Sequence, residues 1–218
     1  LNTKNIMNTK PAGVQIFSTI GAVMAWVAVI LQLYLIIVNR TVSISETLLR
    51  FFTFFTILSN ILVAVCFTVL ALKPRIEGSG FFSGAGVLSA VTVYITIVGT
   101  VYQFVLRQIW DPQGLQKIVD ELLHTVIPAY FILFWFLFAR KFTLQWNQIL
   151  PWLIFPLCYL IIILFRGALA GYYPYPFVNV TKLGYAKVFL NCGMVLIAFL
   201  FFSALLVAVA RLSKKPAD

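Results

Sequence analysis

Charge is scarce in this sequence. Only 10% of its 218 residues are Asp, Glu, Lys or Arg, where soluble domains carry about 25%. Hydrophobic residues make up 62%, with 21 phenylalanines, and the mean hydropathy is +1.00. A chain of this kind cannot bury its apolar side chains in one core and still show water a polar surface. A soluble globular domain is excluded, and lipid must be the solvent. Acidic residues number 6 against 16 basic ones, for a net charge of +10. The cations form no basic blocks interleaved with aromatics. They sit at the ends of apolar runs, where headgroups and topology account for them, so no nucleic-acid partner is expected. Cysteine is also sparse. Cys66, Cys158 and Cys192 lie singly inside apolar runs, a pattern that gives neither a disulfide framework nor a zinc site. Histidine occurs once, as His124. One imidazole cannot ligate haem iron from both sides, so no haem, metal or other cofactor is expected.

What the sequence has in quantity is long apolar runs. A membrane helix needs about 20 mostly apolar residues. Six stretches qualify, at roughly 12–38, 47–72, 83–107, 118–139, 149–166 and 186–211. The first is longer than the apolar core of about 7–15 residues in a signal peptide, and no small-residue cleavage site follows it. It is read as a retained helix. No internal repeat or low-complexity segment appears. The expected fold is all-α: a single multi-pass domain over 1–218, a bundle of six transmembrane helices. The connection RGALAGYYPYPFVNVTKLGYAK, 166–187, is the longest. Its Gly, Pro and Tyr suit a structured loop at headgroup level.

Cations set the expected orientation. Lys4, Lys10, Lys73, Arg75, Arg140, Lys141, Arg211, Lys214 and Lys215 fall on one side of the six spans. The smaller set, Arg40, Arg50, Arg107, Lys117, Arg166, Lys182 and Lys187, falls on the other, several of them within helix ends. The positive-inside rule then places both termini in the cytoplasm, and the expected location is the cell (inner) membrane.

Polar residues are not spread evenly in depth. Counting from the outer ends at 1.5 Å per residue, Thr56 lies about 13 Å in, His124 about 9 Å and Asn191 about 8 Å. The opposite half of the spans is nearly pure Leu, Val, Ile, Phe and Ala. In FFTFFTILSN, Thr53, Thr56 and Asn60 fall on one face of a helix. In the fourth span, Asp120 and Glu121 stand one turn before His124 and can meet it. Pro128 has no N–H, so the carbonyl of His124 loses its usual helix partner and a kink follows. Ionisable groups inside a span face a bundle interior or a wet cavity. The expectation is a polar pocket open toward the outer leaflet.

Such a pocket has a chemistry available to it. A threonine hydroxyl attacks an ester carbonyl once a neutral imidazole can take its proton. Thr56 as nucleophile, with Thr53 as the alternative, and His124 as base form the minimal pair. Asn60, Asn191 or freed backbone N–H groups are candidates to hold the oxyanion, and Asp120 or Glu121 to orient the imidazole. Each has a plainer reading. Membrane threonines bond back to the carbonyl four residues earlier, and a lone histidine or asparagine can tie helices together. A lipid-binding or small-solute transport protein using the same cavity is the alternative to an enzyme. Transport needs ionisable groups crossing the bilayer, whereas this polar trail stops halfway.

Three segments carry a resemblance. RFFTFFTILSN (50–60), LRQIWDPQGLQKIVDELLHTVIP (106–128) and GYYPYPFVNVTKLGYAKVFLN (171–191) resemble the bacterial Pr-six-Pr membrane proteins over nearly the whole chain. These in turn are similar to the eukaryotic family of the androgen-induced protein and the androgen-dependent TFPI-regulating protein. That family is described as membrane threonine hydrolases that cleave fatty acid esters of hydroxy fatty acids. The resemblance implies an ester hydrolase acting on membrane lipid, with its histidine at His124 and its threonine at Thr56, or at Thr53 one turn earlier.

Overall fold

The computed structural model describes residues 11–74, 80–139 and 143–212. Helix α1 runs Pro11–Val38, and a short α2, Ile44–Phe51, follows it. Helix α3 is Phe55–Leu72 and α4 is Ala85–Val101, which continues through a π turn, Tyr102–Leu106. Helix α5, Gly114–Glu121, passes through a second π turn, Leu122–Val126, into α6, Ile127–Phe138. A single turn α7, Ile149–Trp152, precedes α8, Ile154–Ala170, and α9 is Val180–Leu212. Among the described residues, six segments are long and apolar enough to cross a membrane: Ala12–Val38, Phe55–Leu72, Ala85–Leu106, Gly114–Phe138, Trp146–Ala170 and Val180–Leu212. The expected all-α, six-span architecture is therefore present.

The boundaries differ from the sequence reading in one place that matters. The second apolar run is not one helix from 47. Ser43 caps α2, its Oγ accepting from the Glu46 N–H at 3.3 Å. The chain leaves helical geometry after Phe51, and Phe54 is extended (φ −80°, ψ 121°) where α3 begins. Thr53 thus sits between two helices, and only Thr56 and Asn60 share a helical face. Hydrogen bonds hold the break: the Thr53 N–H donates to the Arg50 carbonyl at 3.0 Å, and the Tyr159 hydroxyl of α8 donates to the Thr53 carbonyl at 2.7 Å. Three other spans start earlier than expected, at Gly114, Trp146 and Val180, the last with a bend at Gly184 (φ 73°). The fifth extends to Ala170, where Gly171 closes it in the left-handed conformation (φ 66°) that suits glycine.

Helices α3 and α4 form the centre. More than half of each of their spans is buried, 56% and 61%, against 17% and 22% for the last two spans. Helices α8 and α9 therefore stand at the periphery with apolar faces outward, as lipid contact requires. Three connections meet at one end of the bundle. Arg166 of α8 reaches Glu46 of α2 at 2.8 Å, and the Arg50 guanidinium lies 4.2 Å over the Tyr172 ring. On the Tyr-Pro loop, Tyr173 covers Gly167, where any side chain would strike its ring. Lys4, Lys10, Arg75, Arg140, Lys141, Lys214 and Lys215, which set the expected orientation, lie outside the described residues, as do both termini.

Candidate functional site

The site is built where α3 begins. The first N–H groups of a helix have no partner in the helix itself. Phe54 at the N-cap offers no side-chain acceptor. The Thr56 N–H donates instead to the Tyr175 hydroxyl at 3.2 Å. The Thr56 Oγ1 lies 3.3 Å from His124 Nε2 and 3.3 Å from the same Tyr175 hydroxyl. Side chains from the second and fourth spans and from the Tyr-Pro loop thus converge on one oxygen.

Geometry fixes the imidazole's proton. His124 Nδ1 lies 2.9 Å from the Asp120 main-chain carbonyl. A carbonyl only accepts, so Nδ1 carries the hydrogen and Nε2 is left as the acceptor. The Thr56 hydroxyl then donates to Nε2, and its oxygen accepts from Tyr175. The ring plane is held by Tyr102, stacked at 4.2 Å and 13°. The Asp120 carboxylate stands 3.7 Å from Nδ1, too far for a hydrogen bond, on the side where it favours an imidazolium.

Pro128 acts as expected, but one residue displaced. In the π turn the Ile127 N–H bonds the Leu122 carbonyl, five residues back. In that register the hydrogen Pro128 lacks would have gone to Leu123, not to His124. Asn60 fills the gap: its Nδ2 donates to the Leu123 carbonyl at 3.2 Å and to the Thr56 carbonyl at 2.8 Å. Both its hydrogens are committed, so Asn60 clamps α3 to the π turn and has no donor for an oxyanion.

The remaining sequence candidates stand elsewhere. Thr53 Oγ1 donates to the Arg50 carbonyl at 2.6 Å, closing α2. Glu121 pairs with Arg107 and accepts from Thr125 at 2.8 Å, away from the imidazole. Asn191 donates to the Phe177 carbonyl at 2.8 Å and so ties α9 to the Tyr-Pro loop. Sequence reasoning missed Tyr102 and Tyr175. One signal for Tyr175 was present in PYP. A residue before proline is restricted to extended backbone, and Tyr175 adopts it (φ −129°, ψ 143°).

Two cavities meet at Thr56 and Tyr175, which line both. One, of about 540 Å³, is polar in part and opens among Arg40, Arg50, Gln116, Asp120, His124 and Tyr172. The other, of about 100 Å³, is walled by Phe55, Ile97, Leu160, Ile163, Val195 and Phe199. At the mouth of the polar cavity, Arg50 and Arg166 hydrogen-bond Glu46 and hold its carboxyl below the ordinary carboxylate range. Burial pushes the Tyr175 phenol up, so it stays protonated. Among the described residues, no group of three His, Cys, Asp or Glu side chains could hold a metal ion. Compared with known proteins, the chain matches no family model, no curated protein and no solved structure.

Proposed function

We propose that this protein is an intramembrane lipid-ester hydrolase of the threonine type, with Thr56 as nucleophile and His124 as general base. The observation that carries this reading is the 3.3 Å approach of Thr56 Oγ1 to an imidazole nitrogen whose neighbour is locked on the Asp120 carbonyl. A separation slightly above an ideal hydrogen bond is usual before substrate binds.

The Thr56 oxygen attacks the ester carbonyl carbon while its proton passes to His124 Nε2. The tetrahedral intermediate collapses, and the C–O bond to the alcohol breaks. The alcohol leaves with the proton from Nε2, and an acyl-threonine remains. Water then attacks that ester, giving its proton to Nε2. The second collapse returns the proton to Thr56 and releases the fatty acid. Thr56 is the second residue of α3, so negative charge develops beside the positive end of a helix 18 residues long. The apolar cavity takes the first part of an acyl chain, and the partly polar cavity takes the alcohol side.

The resemblance to membrane threonine hydrolases supports the same reading and suggests fatty acid esters of hydroxy fatty acids as substrates. The proposal includes a multi-pass protein of the cell (inner) membrane, with cytoplasmic termini and the site in the outer leaflet. A fluorophosphonate probe tests it on the purified protein. Labelling is expected in the wild type and in Thr53→Ala, and is expected to vanish in Thr56→Ala. Labelling that survives Thr56→Ala, or no labelling at all, returns the cavity to a binding or transport role.

A further inference from the structure

A hydroxyl has one hydrogen to give. The Tyr175 oxygen already accepts the Thr56 N–H at 3.2 Å, so its own hydrogen is free to donate. The Thr56 oxygen stands 3.3 Å away and has committed its proton to His124. It is therefore an acceptor for that hydrogen; the other hydroxyl beside Tyr175, that of Tyr159, gives its own hydrogen to the Thr53 carbonyl at 2.7 Å. This chain runs in one direction, from phenol to threonine to imidazole to the Asp120 carbonyl. The phenol thus touches the oxygen that reacts, on the side away from the base.

That arrangement changes when the Thr56 oxygen bonds to an acyl carbon. The oxygen becomes an ester oxygen and a poor acceptor. The former carbonyl oxygen, on the same carbon, becomes an anion beside it. A phenol already fixed at this distance needs only to redirect its O–H. Its ring cannot drift: it stacks on Phe177 at 5.3 Å and 9° and meets Phe54 edge-on at 5.9 Å. Asn191 holds the loop through the Phe177 carbonyl. Asn60, the side-chain amide closest to the pair along α3, has both hydrogens engaged elsewhere.

Resting on the hydrolase reading above, we propose that Tyr175 is a third catalytic residue, an oxyanion donor that holds the Thr56 oxygen at rest and turns its O–H to the tetrahedral intermediate. Its acceptor bond with the Thr56 N–H persists throughout, and no covalent bond to Tyr175 forms. Loss of one such donor costs about 10²–10³ in kcat with little change in KM.

The test is Tyr175→Phe, which keeps the ring and its stacking. Purified wild type, Tyr175→Phe and Thr56→Ala are compared in lipid nanodiscs. The readouts are p-nitrophenyl octanoate turnover, fluorophosphonate labelling and thermal unfolding. The expected result is a folded Tyr175→Phe whose kcat falls by about 10²–10³ at nearly constant KM, with labelling slowed but still at Thr56. A folded variant that keeps kcat within about tenfold of wild type overturns the role of Tyr175 alone. So does a variant that loses only melting temperature, since that is what a mere cap on α3 would do. A wild type that neither labels nor turns over defeats both this role and the hydrolase reading. Should Tyr175→Phe fail to fold, trifluorotyrosine at position 175 keeps ring and hydroxyl while altering donor strength. Turnover changed at constant KM then supports the role, and unchanged turnover refutes it.

Discussion

His124 and Thr56 were legible as single residues because membrane spans make polar groups conspicuous. An imidazole or an amide within a span must find a partner, and these found one another. Asn60 was conspicuous for the same reason, yet its task was not readable. That task depends on a helix register shifted by one residue, and on a proline whose missing hydrogen exposes the Leu123 carbonyl. Asn60 is a structural clamp between α3 and the π turn. Asn60→Ala should lower stability by about 1–3 kcal/mol, the usual cost of leaving a buried acceptor without a donor. Thermal unfolding in detergent measures this. An unchanged melting temperature would mean that the Leu123 carbonyl is satisfied in some other way.

At the scale of elements, the long spans followed from hydropathy, and the break between α2 and α3 did not. No glycine or proline marks it; FFTFF is a run of aromatics interrupted only by Thr53. The break is held by neighbours brought in from α8 and the Tyr-Pro loop: the Tyr159 hydroxyl donates to the Thr53 carbonyl, and the Tyr175 hydroxyl accepts the Thr56 N–H. The Tyr-Pro loop suits headgroup level by composition, yet it delivers Tyr175 to the start of α3. A loop declares its composition in sequence, not its destination. Short amphipathic α2 is held by the Glu46 carboxylate, which accepts from Arg50 at 2.8 Å and from Arg166 at 2.8 and 3.0 Å. These two guanidiniums hold its carboxyl below the ordinary 4.5. The sign follows from linkage. A depressed carboxylate adds stability that is complete above its ordinary value and is lost as pH falls through the lowered one. Melting curves taken from neutral pH down through the carboxylate range should show wild type losing more than Glu46→Gln. Parallel losses in the two proteins would remove the ion pair from the account.

At the scale of the whole molecule, the bundle has a packed centre and two loosely attached outer helices. The apolar cavity lies between them, walled by α4, α8 and α9, and ends at Thr56. Its volume of about 100 Å³ holds only the start of an acyl chain. In the proposed hydrolase the rest runs outward between α8 and α9, whose exposed faces are apolar. Chain length is then read loosely, since an aliphatic wall discriminates by only about 1–3 kcal/mol per methylene. Val195→Trp should fill this cavity. It should lower kcat/KM for a palmitoyl ester while sparing an acetyl ester, shifting their ratio by at least about tenfold, near the low end of what a methylene-sized contact changes. A ratio that stays constant would put the acyl chain somewhere else.

The central claim is that Thr56 becomes acylated with His124 as its base. Peptide mass spectrometry after treatment with a long-chain β-lactone tests it most directly. The lactone opens on the attacking oxygen, and its acyl group stays on the residue that made the attack. One adduct is expected, on Thr56, forming about 10²–10⁴ times more slowly in His124→Gln, the range ascribed to a general base. An adduct on Thr53, on a cysteine or on any other residue, or formation at the same rate without His124, would contradict it.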